Sequence, residues 1–274
     1  PVILPNTRSL LMHPMLRKAI EAAREAGESI RHHANKVHKL DVENKAHNDF
    51  VSNVDREAEQ IIVRLLQRAY PDHAFLGEES GKHGPDSDYE WIIDPLDGTT
   101  NFLYGIPQYS VSIALKHNGR LLVGVVYDPL RDEPFAAARG DGATLNGRRI
   151  RVSERTSMQS ALLGTGIPFR ANQNLDLYLQ TLKALLPDTA GVRRPGSAAL
   201  DLAYVASGRF DGFWEFGLNE WDIAAGVLLV QEAGGLIGDM KGDNTFLKTG
   251  DVVAANPKVF KEMIKRLHPI MAKR

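Results

Sequence analysis

"WIIDPLDGTTNF", residues 91–102, decides how the chain is read. Trp91-Ile92-Ile93 is a short apolar run of strand formers, the pattern of a buried strand. Asp94 and Asp97 follow at once. Carboxylates at the end of a buried strand must be hydrogen-bonded, paired or neutralised by a cation. Pro95 offers no N–H and is expected to force the chain off the end of the strand. A tight turn there would aim both carboxylates and the Leu96 carbonyl at one point. Hard cations such as Mg²⁺ take this mixture of oxygens. Gly98-Thr99-Thr100 then opens a helix whose free N–H groups and positive dipole end favour an anion such as phosphate. A plainer alternative has Asp97 capping a helix and Asp94 ending a strand, since Asp and Gly are common turn residues.

Other acids bear on that choice. "GEES" places Glu78 and Glu79 at the end of a second apolar run, and Asp222 opens a very apolar helix. Alone, Glu78 reads as a surface acid and Asp222 as an N-cap. Together with the 94–97 turn they suggest one shared site. His32, His33, His38 and His47 match no zinc spacing, and no thiolate is there to help. Arg148-Arg149 and Arg193-Arg194 read as surface charge, with contact to a phosphate or a partner as the alternative. No stretch interleaves basic and aromatic residues as a nucleic-acid platform does, which leaves direct RNA binding open.

A net charge of -1 gives no general affinity for polyanions. The absence of cysteine excludes disulfides and thiolate metal sites and is compatible with a reducing, cytoplasmic setting. No apolar run reaches the roughly 20 residues of a membrane span. Residues 1–11 lack a Met and a basic n-region and read as a tag or an upstream extension ahead of Met12.

Residues 14–35 show an amphipathic helical period carried by Leu16, Ile20, Ala23 and Ile30. Residues 38–50 are polar and without period and read as a loop. A second helix begins near Ser52 or Asn53 and is closed by Pro71. Short β-rich runs then follow, with Asn118-Gly119 and Asn146-Gly147 as hairpin turns. Residues 12–152 thus form an α+β half with a largely antiparallel sheet. Residues 153–274 alternate strand and helix, as an α/β layer does, and end in a helix with Pro257 near its start. A cleft between the halves is the natural place for a site.

"GEES", "WIIDPLDGTTNF" and "WDIAAGVLLVQEAGG" together resemble the signatures of the inositol monophosphatase family of Mg²⁺-dependent phosphatases. The resemblance runs from about residue 13 to the C-terminus. "GSAALDLAYVASGRFDGFWEFGL" and "MHPML" are most similar to its bacterial SuhB branch. The resemblance implies a layered αβαβα sandwich, similar to fructose-1,6-bisphosphatase, with the site between the halves. It implies inositol-phosphate phosphatase activity with two or three Mg²⁺ ions, one activating a water and another neutralising the departing alkoxide. Glu78 would hold the first metal and Asp94 would bridge two. The Leu96 carbonyl would complete the first site, and Asp97 and Asp222 would hold the second. Thr99, hydrogen-bonded to Asp55, would orient the attacking water, and the N–H groups of Gly98 and Thr99 would cradle the phosphate. Gly196, Ser197, Ala198, Glu215 and Asp97 would face the substrate. Lys45 would stand near metal and phosphate, with Asp49 close by and Glu79 beside the first ligand. Inhibition by Li⁺ and a homodimer are also implied.

Two rivals accompany this reading. One is a related phosphatase acting on 3'-phosphoadenosine 5'-phosphate or fructose 1,6-bisphosphate. The other follows from the SuhB branch: a transcription antitermination and ribosomal RNA maturation factor, partnered by Nus factors and RNA polymerase and independent of catalysis.

Overall fold

The computed structural model describes residues 12–34, 42–46, 49–168 and 173–272; the side chains of 42–52 are outside that description. The chain opens with α1 (Pro14–Ala34), β1 (Val42–Ala46), β2 (Asp49–Ser52), α2 (Asn53–Ala69), β3 (Ala74–Gly77) and β4 (Gly81–His83). There follow β5 (Tyr89–Asp97), α3 (Thr99–Leu103), β6 (Ser110–His117), β7 (Arg120–Asp128), β8 (Glu133–Ala138), β9 (Gly142–Leu145) and β10 (Arg148–Arg149). The remainder holds β11 (Leu162–Thr165), α4 (Leu175–Leu185), β12 (Gly191–Arg193), α5 (Ala198–Ala206), β13 (Gly212–Glu215) and α6 (Glu220–Glu232). It closes with β14 (Leu236–Gly238), α7 (Phe246–Thr249), β15 (Val252–Ala255) and α8 (Pro257–Met271).

An eight-stranded sheet runs in the order β10-β9-β8-β7-β6-β5-β3-β4, and a five-stranded one in the order β12-β11-β13-β15-β14. In the larger sheet only β3 and β5 run parallel. The smaller is mixed: β11 is parallel to β12 and β13, while β15 is antiparallel to β13 and β14.

Side-chain alternation stacks the layers. Trp91 and Ile93 point with Phe75, Val111 and Ile113 into a core shared with α1 and α2. Ile92, between them, points with Val126 and Phe135 into a second core shared with α5 and α6. Both faces of β5 are thus buried, which is why its apolar run is unbroken. Phe213 and Ala254 face that second core, while Trp214, Val253 and Ala255 face a third with α4 and α8. The result is a five-layered αβαβα sandwich. Residues 223–230 of α6 are buried without a break, as a helix enclosed between two sheets requires. By contrast α1, α2 and α8 bury one stripe each.

The structure departs from the sequence reading at three places. Residues 42–46 and 49–52, taken as loop, form the antiparallel pair β1–β2. Their many polar residues hide the strand signal, because a two-stranded ribbon needs no continuous apolar face. Pro95 does not end β5. The register passes from Asp94↔Ser112 to Asp97↔Ser110 across a bulge, which absorbs the missing N–H and lets the strand run to Asp97. The short elements β4, β12 and α7 carry too little pattern to be seen. The hairpins at Asn118-Gly119 and Asn146-Gly147 form with positive φ at both residues of each pair.

A ladder of stacked rings, Tyr70, His73, Tyr89 and His117, lies along the β5 side of the large sheet, with centroids 4.9, 4.6 and 4.1 Å apart. Trp91 Nε1–H donates to His73 Nδ1 at 3.0 Å, which needs the neutral ring. Burial pushes the His73 pKa down, against a smaller opposing pull from Asp72. The unfolded chain therefore takes up this proton first. The stabilisation is complete above the ordinary histidine pKa of about 6.5 and is lost as the pH falls through the folded value. His73→Gln keeps an acceptor for Trp91 and is expected to flatten the rise in unfolding free energy between about pH 5 and 7. Denaturant melts across that range check this; parallel slopes for both proteins would refute it.

Candidate active site

Parallel pairing of β3 and β5 brings two strand ends to the same edge of the large sheet. Gly77 lies opposite Ile93, and the Glu78 N–H donates to the Ile93 carbonyl at 3.0 Å. Glu78 and Asp94 therefore emerge side by side at that edge. The bulge carries the chain on to Asp97. Asp94 Oδ1 accepts from the Leu96 N–H at 3.0 Å, which holds the bend.

Asp222 arrives from the other half. Ser112, the register partner of Asp94, donates its hydroxyl to the Trp221 carbonyl at 3.3 Å. Lys116 of β6 pairs with Glu220, the first residue of α6. These contacts seat the first turn of α6 over β5 and β6. Asp222 is the third residue of that turn, and its Oδ2 accepts from the Asn219 N–H at 2.6 Å in a capping box.

Asp97 does cap a helix, but one 100 residues away. Its Oδ2 accepts from the Ser197 hydroxyl at 2.5 Å and from the Ala199 N–H at 2.8 Å, at the start of α5. Asn101 adds a second tie, donating to the carbonyls of Pro195 at 2.8 Å and Gln108 at 2.7 Å. Gly98 turns the chain from β5 into α3 with φ of 97°, and a Cβ there would lie 3.0 Å from the Gln108 carbonyl oxygen. Thr99 Oγ1 stands 2.9 Å from Asp55 Oδ1 and 3.0 Å from the Leu96 carbonyl oxygen. It has one proton to give, so it donates to either at a given moment.

These residues open onto a cleft of about 600 Å³. Glu78, Asp94, Leu96, Asp97, Gly98, Thr99 and Asp222 line one part of it, and Gly196, Ser197, Ala198 and Glu215 line the other. Asp55 stands behind Thr99 and is buried. Glu79 is not among the residues that line it; its N–H donates to Glu59 Oε2 at 2.8 Å. Lys45 and Asp49 belong to β1 and β2, and their side chains lie outside the described residues. So do His38 and His47, while His32 and His33 sit in the last turn of α1.

The electrostatics of the cleft are strained. Burial pushes the Asp94 carboxyl well above its ordinary range, and the charges of Glu78, Asp97 and Asp222 add to this. Asp97 is raised to about 6 by burial, against the opposing pull of Ser197 and Ala199. Asp222 is raised by burial and then by Asp97. A multivalent cation would relieve this repulsion, and a donor set made only of oxygen suits a hard one. No three acidic or histidine side chains among the described residues form a finished cage for a metal ion. The fit therefore rests on donor chemistry and charge. A proton on the raised Asp94 carboxyl is the competitor that a cation would displace.

Sequence reasoning passed over Asp201 and Asn101 and gave Arg194 no place in the site. All three line the cleft. Arg194 belongs to a doublet read as surface charge; both arginines are exposed, and Arg194 also lines the cleft. Asp201 was detectable as the lone charge in the apolar run "AALDLAYVA".

The statistical model of the inositol monophosphatase family matches residues 11–271. The chain belongs to the inositol monophosphatase family. Among curated relatives, the Nus factor SuhB of Pseudomonas aeruginosa is 56% identical over 263 residues, covering 94% of this chain and 97% of that one. The SuhB structure from Bartonella henselae superposes with a TM-score of 0.90 at 44% identity, covering 92% of this chain and 98% of that one. The Thermotoga maritima inositol monophosphatase gives 0.85 at 35% identity, with coverage of 94% and 98%. Inositol monophosphatase family proteins are generally metal-dependent phosphatases, and the acidic cleft of this member has the donors such chemistry needs. No helix among its described residues is long and apolar enough to cross a membrane.

Ser197 carries the tie between Asp97 and α5. Ser197→Ala removes one of two donors to a buried carboxylate and is expected to cost about 1–3 kcal/mol. Urea unfolding measures this, and a loss below a few tenths of a kcal/mol would show that the contact holds nothing.

Proposed function

We propose that this protein is a Mg²⁺-dependent phosphatase that hydrolyses inositol monophosphate and similar small polyol phosphate monoesters to the alcohol and inorganic phosphate. The observation that carries the reading is the convergence of Glu78, Asp94, Asp97 and Asp222 on one cleft beside the Gly98-Thr99 turn. Family membership supports it. On this reading Glu78, Asp94, the Leu96 carbonyl, Asp97 and Asp222 hold two or three ions. Bound Mg²⁺ supplies Lewis acidity, making water a nucleophile near neutral pH and shielding charge on the phosphoryl and departing oxygens.

The protein's own groups do the positioning. Thr99 Oγ1, while donating to Asp55, keeps lone pairs that accept a hydrogen bond from the attacking water and aim it in line. The Gly98 and Thr99 N–H groups at the start of α3 face the phosphate. Ser197, the Gly196 and Ala198 backbone and Glu215 meet the alcohol. With no cysteine and the acids directed at cations, direct attack by water is the route assigned.

Asp94→Asn and Asp97→Asn test the reading. Each is expected to lower kcat/KM on inositol 1-phosphate by at least about a hundredfold. Each also removes one member of a self-repelling set, so the metal-free melting temperature of Asp94→Asn should stay level or rise. Wild-type-like turnover in either variant would overturn the assignment. Rates on fructose 1,6-bisphosphate and 3'-phosphoadenosine 5'-phosphate, measured alongside, rank the substrates.

A second reading has its own support: relatives 56% and 49% identical over nearly the whole chain are named Nus factors. In that role the protein acts in the cytoplasm on transcription antitermination and ribosomal RNA maturation, with Nus factors and RNA polymerase as partners. The inactive Asp94→Asn allele leaves the Asp97–α5 tie intact. On this reading it restores growth and ribosomal RNA processing to a deletion strain; failure to do so would tie the phenotype to catalysis.

A further inference from the structure

The buried carboxyl of Asp201 has no structural task. The other deeply buried aspartates outside the cation cluster each hold something. Asp55 receives Thr99, Asp128 receives the N–H groups of Leu130 and Arg131, and Asp211 receives Ser153, Arg155 and the Leu162 N–H. Asp201 is 1% exposed and its carboxyl accepts no hydrogen bond; Oδ1 is sealed from solvent with no partner, so Oδ2 is the oxygen left to meet a ligand in the cleft. It sits in the first turn of α5, where an acid could cap the helix, but Asp97 already occupies that place through the Ala199 N–H. A buried carboxyl left unpaired in a folded protein calls for an occupant that supplies the missing donor.

Its surroundings say which occupant. Asp201 lines the cleft together with Glu215 and Arg194; burial pushes its carboxyl up, the charges of Glu215 and Asp97 add to this, and Arg194 opposes it. Gly166 makes room for Glu215 at that part of the cleft, since a Cβ there would lie 1.9 Å from the Glu215 carboxyl. Two carboxyls therefore face the space beyond the phosphate end, where the alcohol part of an ester would lie.

We infer that Asp201 is a specificity-determining residue that accepts a hydrogen bond from a hydroxyl of the polyol leaving group, in partnership with Glu215. This rests on the phosphatase reading for which way the substrate lies. It does not depend on whether Asp201 carries a proton, because either form of a carboxyl keeps an oxygen that accepts. A site built to receive a hydroxyl discriminates strongly against an ester without one, whose binding would leave the carboxyl unpaired.

The test compares Asp201→Ala and Asp201→Asn with wild type on inositol 1-phosphate and on phenyl phosphate, which has no hydroxyl to offer. Asp201→Ala is expected to lose at least about tenfold more kcat/KM on the inositol ester than on the phenyl ester, mainly through KM. Asp201→Asn keeps a carbonyl acceptor and is expected to recover most of that difference. Equal losses on the two esters, or an Asn variant no better than Ala, would overturn the inference. Calorimetric titration with free myo-inositol separates this idea from the reading beneath it. If the wild type hydrolyses neither ester, inositol binding that weakens at least about tenfold in Asp201→Ala still upholds the role of Asp201. No binding, or binding indifferent to the substitution, overturns it.

Discussion

One carboxylate oxygen, Asp97 Oδ2, joins the end of β5 to the start of α5 at the cleft. It takes the Ser197 hydroxyl and the Ala199 N–H together, so the strand that ends at Asp97 fixes the start of α5. Charge-assisted hydrogen bonds of this kind are shorter and stronger than neutral ones, and burial strengthens them further. Asn101 repeats the tie a few residues on. The central helices α5 and α6 thereby meet the large sheet in one register, and Asp222 is delivered to the same place as Asp94.

The same arrangement sets stability against chemistry. Asp94, Asp97 and Asp222 are buried where each raises the cost of ionising another. A fold optimised for stability alone would not keep them together. The surrounding hydrogen bonds fix one oxygen of each acid: the Leu96 N–H for Asp94, Ser197 and Ala199 for Asp97, Asn219 for Asp222. Rigidity is thus supplied by backbone donors and one hydroxyl, while the repulsion makes the cleft receptive to cations.

Much of this was legible in the residues. The unbroken run Trp91-Ile92-Ile93, the Asn-Gly turns and the apolar helix after Asp222 are strong local signals, and the observed elements follow them. Asp94, Asp97, Glu78 and Asp222 could be grouped because each ends or begins an apolar element. What stayed hidden depends on contacts between distant parts of the chain. The bulge at Pro95 exists because β6 pairs across it. The role of Asp97 as a cap for α5 has no local trace, since the partner lies 100 residues on. Asp201 stands out by charge, but only burial shows that it lacks a partner. The β1–β2 ribbon escaped because its residues are mostly polar and carry no apolar alternation in the sequence.

The enclosed helix α6 bears on how the chain comes off the ribosome. Val126, Phe135 and Ile92 on the inner face of the large sheet are covered by α5 and α6, which are encoded after residue 197. While synthesis is in its middle third, that face has nothing to lie against. A broad greasy surface on a nascent chain invites chaperones and self-association. The acidic pocket likewise cannot be complete before Asp222 has left the exit tunnel, so a chain terminated short of that point has neither a closed interior nor the full set of acids.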